Sequence, residues 1–229
     1  MKKLLVCLVA AAVGPAAFAA TPFEGKVTFK MTAPRGAPQE MRYAIKGDKV
    51  RIEMPGQQEM GGMIMDTSKR EMLVLMDAQR MYMVMPMGEV TNAVAEKSGP
   101  EATLEKTGET EKILGYTAEK YISTYQGSKT ELWLAEGLGS FTGMAKNPMG
   151  GGRGGSAPKA WERSLAGKPL FPLRVVDRDK SGKESFRMEA TSIDKQALPD
   201  GMFTPPADYQ KMDMGGMMMP GMMRGMPKR

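Results

Sequence analysis

Between Met60 and Met87 the chain runs EMGGMIMDTSKREMLVLMDAQRMYMVMPM, three short apolar runs joined by two tight polar turns. The runs are Met63–Met65, Glu71–Met76 and Met81–Met85, and the turns are Asp66–Lys69 and Asp77–Arg80. Runs this short, separated by so few residues, can bury an apolar face only as hairpins. In the third run Met81, Met83, Met85 and Met87 fall at every second position, so a strand directs them all to one face.

The same alternation extends over most of the chain. Phe23, Gly25, Val27, Phe29 and Met31 share one face of a half-wet strand, and Glu24, Lys26, Thr28 and Lys30 share the other. Met41, Tyr43 and Ile45 give a second strand and Val50, Ile52 and Met54 a third, with a tight turn at Lys46–Lys49. Further strands are expected at Leu104–Lys112, Tyr116–Tyr125, Lys129–Ala135, Leu170–Arg178 and Glu184–Ile193, with Trp133 burying a large aromatic. Leu138–Ala145 and Lys159–Leu165 read as short helical pieces, and Leu198–Phe203 as a closing segment with a buried Phe. The fold class expected is mainly β: one strongly curved antiparallel sheet, an open barrel with short helices against its concave side.

The domain is expected over residues 20–210, with one segment on each side of it and one inserted within it. Residues 1–19 read as a signal peptide, with Lys2 and Lys3 ahead of the apolar Leu4–Val13 and a small-x-small site at Ala17–Ala19. That apolar run is too short for a stable anchor, so the mature protein is expected to be exported, periplasmic and not membrane-spanning. The Gly-rich stretch at about 147–158 and the tail 211–229 lack periodicity and are expected to be disordered.

Composition excludes much chemistry. The chain has no His, and its one Cys is Cys7, within the leader. The mature protein then lacks Ser-His-Asp and Cys-His catalysis, disulfides, and the usual zinc, haem and iron–sulfur ligands, so no enzyme is expected. The formal net charge is +6, spread without a Lys/Arg cluster interleaved with aromatics, and no nucleic-acid partner is expected. Ser156–Lys159 spells S-x-x-K and Lys106–Gly108 spells K-T-G, but the order is reversed from that of penicillin-binding enzymes and both are chance matches. Asp66, Asp77, Asp177 and Asp179 are expected at turns, where Asp caps local backbone N–H groups.

Glu24–Val27, Met63–Asp66, Ile113–Tyr121, Glu131–Ala135, Pro172–Val175 and Leu198–Phe203 together resemble an uncharacterised bacterial exported family, a domain of unknown function similar in shape to the LolA/LolB lipoprotein carriers. The resemblance runs from about Thr21 to Lys211. It implies an incomplete barrel whose concave face holds an apolar small molecule or lipid.

Two sets of methionines are the candidate sites. Met63, Met65, Met81, Met83 and Met85 either line a cavity for an apolar ligand or fill the core, since the flexible thioether suits both uses. Met212, Met214, Met217, Met218, Met219, Met222, Met223 and Met226 crowd the tail at M-x-M and M-x-x-M spacings. Thioethers are soft donors that select Cu(I) or Ag(I) over Zn, Mg or Ca, and Cu(I) is the one cofactor to weigh. The competing readings are a low-complexity tail without a selected role, or a sink for oxidants through Met sulfoxide.

Overall fold

The computed structural model describes residues 22–56, 61–87, 102–143, 160–179 and 181–212. The segment 1–19 expected as a signal peptide, the Gly-rich stretch 147–158 and the tail beyond Met212 lie outside them. Twelve strands form one sheet: β1 (Glu24–Thr32), β2 (Gln39–Lys46), β3 (Lys49–Glu53), β4 (Gly62–Asp66), β5 (Glu71–Met76), β6 (Met81–Pro86), β7 (Thr103–Ile113), β8 (Tyr116–Tyr125), β9 (Ser128–Ala135), β10 (Phe171–Arg178), β11 (Glu184–Lys195) and β12 (Gln210–Met212). Their order is β12-β6-β5-β4-β3-β2-β1-β11-β10-β9-β8-β7, so the sheet is open and all pairs but β12–β6 are antiparallel.

Two meanders make up the sheet, β1–β6 and β7–β11, and they are joined where β1 pairs with β11. Tight turns set the hairpins. Between β7 and β8 both Leu114 (φ 49°) and Gly115 (φ 86°) are left-handed, the two-residue turn that follows the twist of its flanking strands. At the meander junction a bulge at Thr28/Phe29 leaves Thr191 unpaired in the ladder, and its hydroxyl donates to the Thr28 carbonyl at 3.2 Å.

The sheet curls around one apolar cluster. Met65 of β4 and Ile113 of β7 belong to it although most of the sheet separates their strands, which requires strong inward curvature. Inside the curl sits an aromatic plug. Phe141 stacks on Tyr43 (5.6 Å) and on Trp161 (5.8 Å), and Phe171 meets both Phe141 (5.6 Å) and Tyr43 (5.5 Å) edge-on. Trp161 comes from the short helix α1 (Ala160–Ser164). Leu138–Gly143 is not the expected helix but an irregular loop. Gly137 (φ 85°) and Gly139 (φ 84°) adopt left-handed backbone that breaks the helical ladder. The loop is tied down by Tyr43, whose hydroxyl accepts from Thr142 N (2.9 Å) and donates to Thr142 O (3.2 Å). Burial raises the Tyr43 phenol far above its ordinary range, so it stays neutral and can donate.

The two halves of the convex face are covered differently. Over β2–β6 a strap from Leu198 to Tyr209, including a 3-10 turn at Asp200–Phe203, packs Leu198 and Phe203 on Ala44, Ile64 and Leu75. Lys46 Nζ donates to Leu198 O (2.6 Å), Leu198 N to Glu24 (2.6 Å) and Arg51 to Met202 O (2.9 Å). Over β7–β11 the face is an ion-pair ladder. Arg174 makes a fork to Glu111 (2.8 and 3.0 Å) and also bonds Glu189 (3.0 Å), while Arg187 bonds Glu184 (2.8 Å) and Arg178 bonds Glu131 (2.8 Å). Trp133 lies half-buried in this ladder, 5.8 Å from both Lys120 Nζ and the Arg174 guanidinium, and the fully packed tryptophan is Trp161.

Two outcomes follow from these contacts. Tyr43→Phe keeps the ring stack but orphans the Thr142 N–H and C=O, and urea unfolding should show a loss of about 1–3 kcal/mol. Arg174 and Arg187 hold Glu111 and Glu184 below the ordinary glutamate value of 4.5. The unfolded chain therefore takes up protons first, so this stability is present above pH 4.5 and is lost as pH falls below it. The unfolding free energy from urea titrations at pH 6 and pH 3 should fall less in Arg174→Met than in the parent, by about 1 kcal/mol after allowing for solvent exposure.

Candidate functional site

On the inner face of β3–β6 the register aligns side chains in rows. Tyr43, Ile52, Met63, Val74 and Met83 form one row across β2–β6, and Ile45, Val50, Met65, Met72 and Met85 form the next. Met63 and Met65 are buried in the main apolar cluster, Met83 is buried, and Met81 and Met85 are half-buried. Met54, Met85 and Met87 pack against the cluster from its margin. One end of the curled sheet is thus lined by thioethers, while its middle is filled by the aromatic plug.

The five expected ligand-binding methionines therefore share one face, with Met63, Met65 and Met83 buried and Met81 and Met85 half-buried. Two open clefts lie elsewhere, one of about 450 Å³ among Lys69, Arg70, Val84 and Lys211, the other of about 320 Å³ among Pro34, Lys183 and Phe186. Met, with three rotatable bonds, is the apolar residue most able to change shape along such a face. In the plug, the Trp161 indole N–H is buried without a hydrogen-bond partner among the described residues.

Of the candidate metal ligands only Met212 lies among the described residues; Met214, Met217, Met218, Met219, Met222, Met223 and Met226 fall outside them. Regular structure extends two residues into the segment expected as tail, because Lys211 and Met212 still belong to β12. That strand runs parallel to β6, with Gln210 beside Met81, Lys211 beside Tyr82 and Met212 beside Met83. It is held there by Gln210 N donating to Arg80 O (2.9 Å) and by Tyr209 donating to Asp77 (2.6 Å). Accepting that bond, the Asp77 carboxylate pushes the Tyr209 phenol up to about 12. No sequence period announces a three-residue strand, so only the fold reveals the juxtaposition.

The carboxylates expected at turns divide. Asp66 accepts from Ser68 Oγ (2.6 Å) and Lys69 N (3.0 Å), which lowers its pKa, and Asp179 accepts from Ser181 Oγ (2.5 Å), Lys183 N (3.1 Å) and Ser181 N (2.8 Å) with the same result. Asp77 opens a 3-10 turn, Asp77–Gln79. Asp177 instead lies within β10 and accepts from the Thr130 hydroxyl on β9. Lys106 of the K-T-G match lies on the exposed edge strand β7 and pairs with Glu119 at 2.7 Å. Among the described residues no group of three or more Asp, Glu, Cys or His is placed to hold a metal, and no helix is long and apolar enough to cross a membrane.

No curated protein matches the chain in sequence. Among solved structures, an uncharacterised conserved protein from Thermus thermophilus is similar over 82% of this chain and 90% of its own, at 14% identity and a TM-score of 0.48. The Pseudomonas aeruginosa MucA/MucB complex contains a chain similar over 81% of this one, at 14% identity and a TM-score of 0.44; the match spans 56% of that chain. A LolA superfamily protein from Nitrosomonas europaea is similar over 82% of this chain and 91% of its own, at 17% identity and a TM-score of 0.31. The model of the DUF4412 domain of unknown function matches residues 23–209, nearly the whole described sheet, and the chain belongs to that family.

Proposed function

We propose that this is an exported, non-enzymatic envelope protein that takes up an apolar small molecule or lipid against the inner face of its sheet. The observation that carries the reading is the methionine-lined lobe at Met63, Met65, Met81, Met83 and Met85, set beside a rigid aromatic plug. A core meant only to be unique would favour Leu, Ile, Val and Phe, whose rotamers are better defined. Thioethers concentrated at one end make that end the deformable one, and apolar surface exposed to a ligand there is regained as contact with it. The unpartnered Trp161 N–H offers a ligand oxygen the one donor in the plug that the protein leaves unused. Carboxylates at the described turns are engaged in local hydrogen bonds, which suits a carrier better than an acid–base catalyst.

The test is native mass spectrometry of the mature protein taken from its envelope without detergent, followed by titration with a fluorescent fatty acid. A mass excess matching a lipid is expected. Met83→Gln and Met85→Gln should weaken uptake about tenfold, since burying an unpaired amide costs about 1–3 kcal/mol, while Met83→Leu should bind like the parent. Equal uptake in the Gln and Leu variants, both folded, would place the ligand elsewhere or nowhere.

A further inference from the structure

We propose that Met76, Met81, Met83 and Met212 form a site for a soft monovalent cation, Cu(I) or Ag(I), at the open edge of the sheet. This does not rest on uptake of an apolar ligand. It comes from the way β12 brings the start of the methionine-rich tail back to the methionine stripe of β6.

The register brings the four side chains into two neighbouring pairs on either flank of β6. Met76 of β5 pairs with Met81 of β6, and Met83 pairs with Met212 of β12. Met81 and Met83 share one face of their strand, and cross-strand partners share a face with each other, so all four project to the same side. Cross-strand Cβ atoms lie roughly 4.5–5.5 Å apart and alternate residues of a strand about 7 Å apart. Side chains as long and flexible as Met span those gaps and can converge three or four sulfurs on one ion.

Exposure and fixation both suit a site. Met76 and Met83 are buried and form its floor, while Met81 and Met212 are half-buried at the rim, where an ion can enter. Pure packing gives no reason to put thioethers at an edge rim, where β-branched residues are better strand formers. Met212 is held in place by the protein itself, because Tyr209–Asp77 and Gln210–Arg80 bonds clamp β12 beside β6 before any ion arrives. The flanking charges leave room for a cation: Asp77 directly follows Met76 in the chain, and Arg80 is 3.7 Å from the Asp208 carboxylate. With no His in the chain and its one Cys at position 7, thioethers are the soft donors it has, and they bind without releasing a proton.

The test is a titration of the full chain, labelled with 13C at the methionine methyls, with Ag(I), which avoids copper redox chemistry. The first equivalent is expected to shift the methyls of Met76, Met81, Met83 and Met212, assigned through single Met→Leu variants. Met81→Leu and Met212→Leu keep volume and fold and should weaken Ag(I) binding about tenfold or more, since even a lost outer partner of a ligand costs that much. Met85→Leu should bind as the parent does. First-equivalent shifts confined to other methionines, affinities within about twofold across the four Leu variants, equal weakening by Met85→Leu, or no binding would each overturn the proposal. The Leu variants keep an apolar lining, so their fatty-acid uptake reports separately on the proposed carrier function.

Discussion

Everything in this fold hangs on the pairing of β1 with β11. Each meander alone is a run of hairpins with one apolar face open to water. Only when Val27, Phe29 and Met31 align with Ile193, Ala190 and Met188 do the two faces become one concave wall. The partners are distant in sequence, as the Thr28–Thr191 bond across 163 residues shows, so closure costs more loop entropy than any hairpin. The aromatic plug offsets that cost, because Phe29 of the first meander stacks on Phe171 of the second at 6.0 Å. Phe171 in turn touches Tyr43 and Phe141, so the junction and the plug form together.

How the convex face is finished explains the different textures of the two halves. Under the strap, β2–β6 can carry apolar residues on both faces, and Ile64, Leu75 and Ala44 are buried there. No strap crosses β7–β11 among the described residues, and its outward side chains are arginines, lysines and glutamates joined in ion pairs. The same logic blunts the edge strand β7, whose TLEKTGETEKI sequence is charged and carries a register shift between Lys106 and Thr110.

Most of the strands can be read from alternation, because a strand with one buried face carries its period in its own residues. Tyr116–Tyr125 is legible to the residue, and the turns at Lys46–Lys49 and Asp77–Arg80 fall where the polar clusters lie. What escapes the sequence depends on partners far away. Leu138–Gly143 has helix-like spacing, yet Gly137 and Gly139 and the Tyr43 clamp make it a plug loop. Trp161 and Trp133 are each flanked by residues of mixed character, and only the tertiary fold decides which is packed inside and which lies under two cations. The shared orientation of Met63, Met65, Met81, Met83 and Met85 is legible; whether that face is open or filled is not, since it depends on what the opposite wall contributes.

Met212, the first of the tail methionines, is brought beside Met83 by three residues of parallel strand. A parallel pair needs a long crossover, and the strap supplies it by running over the convex face from β11 to the far edge. Without the segment after Phe203, β6 would be a bare edge with Met81 and Met83 open to water. With β12 in place that edge is capped and a fourth thioether, Met212, is added to the row. Methionine is a modest strand former, and adjacent strands carrying it at one corner give up β propensity for something that Leu or Val would not provide. The property that separates Met from those residues is its sulfur, which is polarizable, soft toward metals and open to oxidation, and strand register pairs Met76 with Met81 and Met83 with Met212 at this corner.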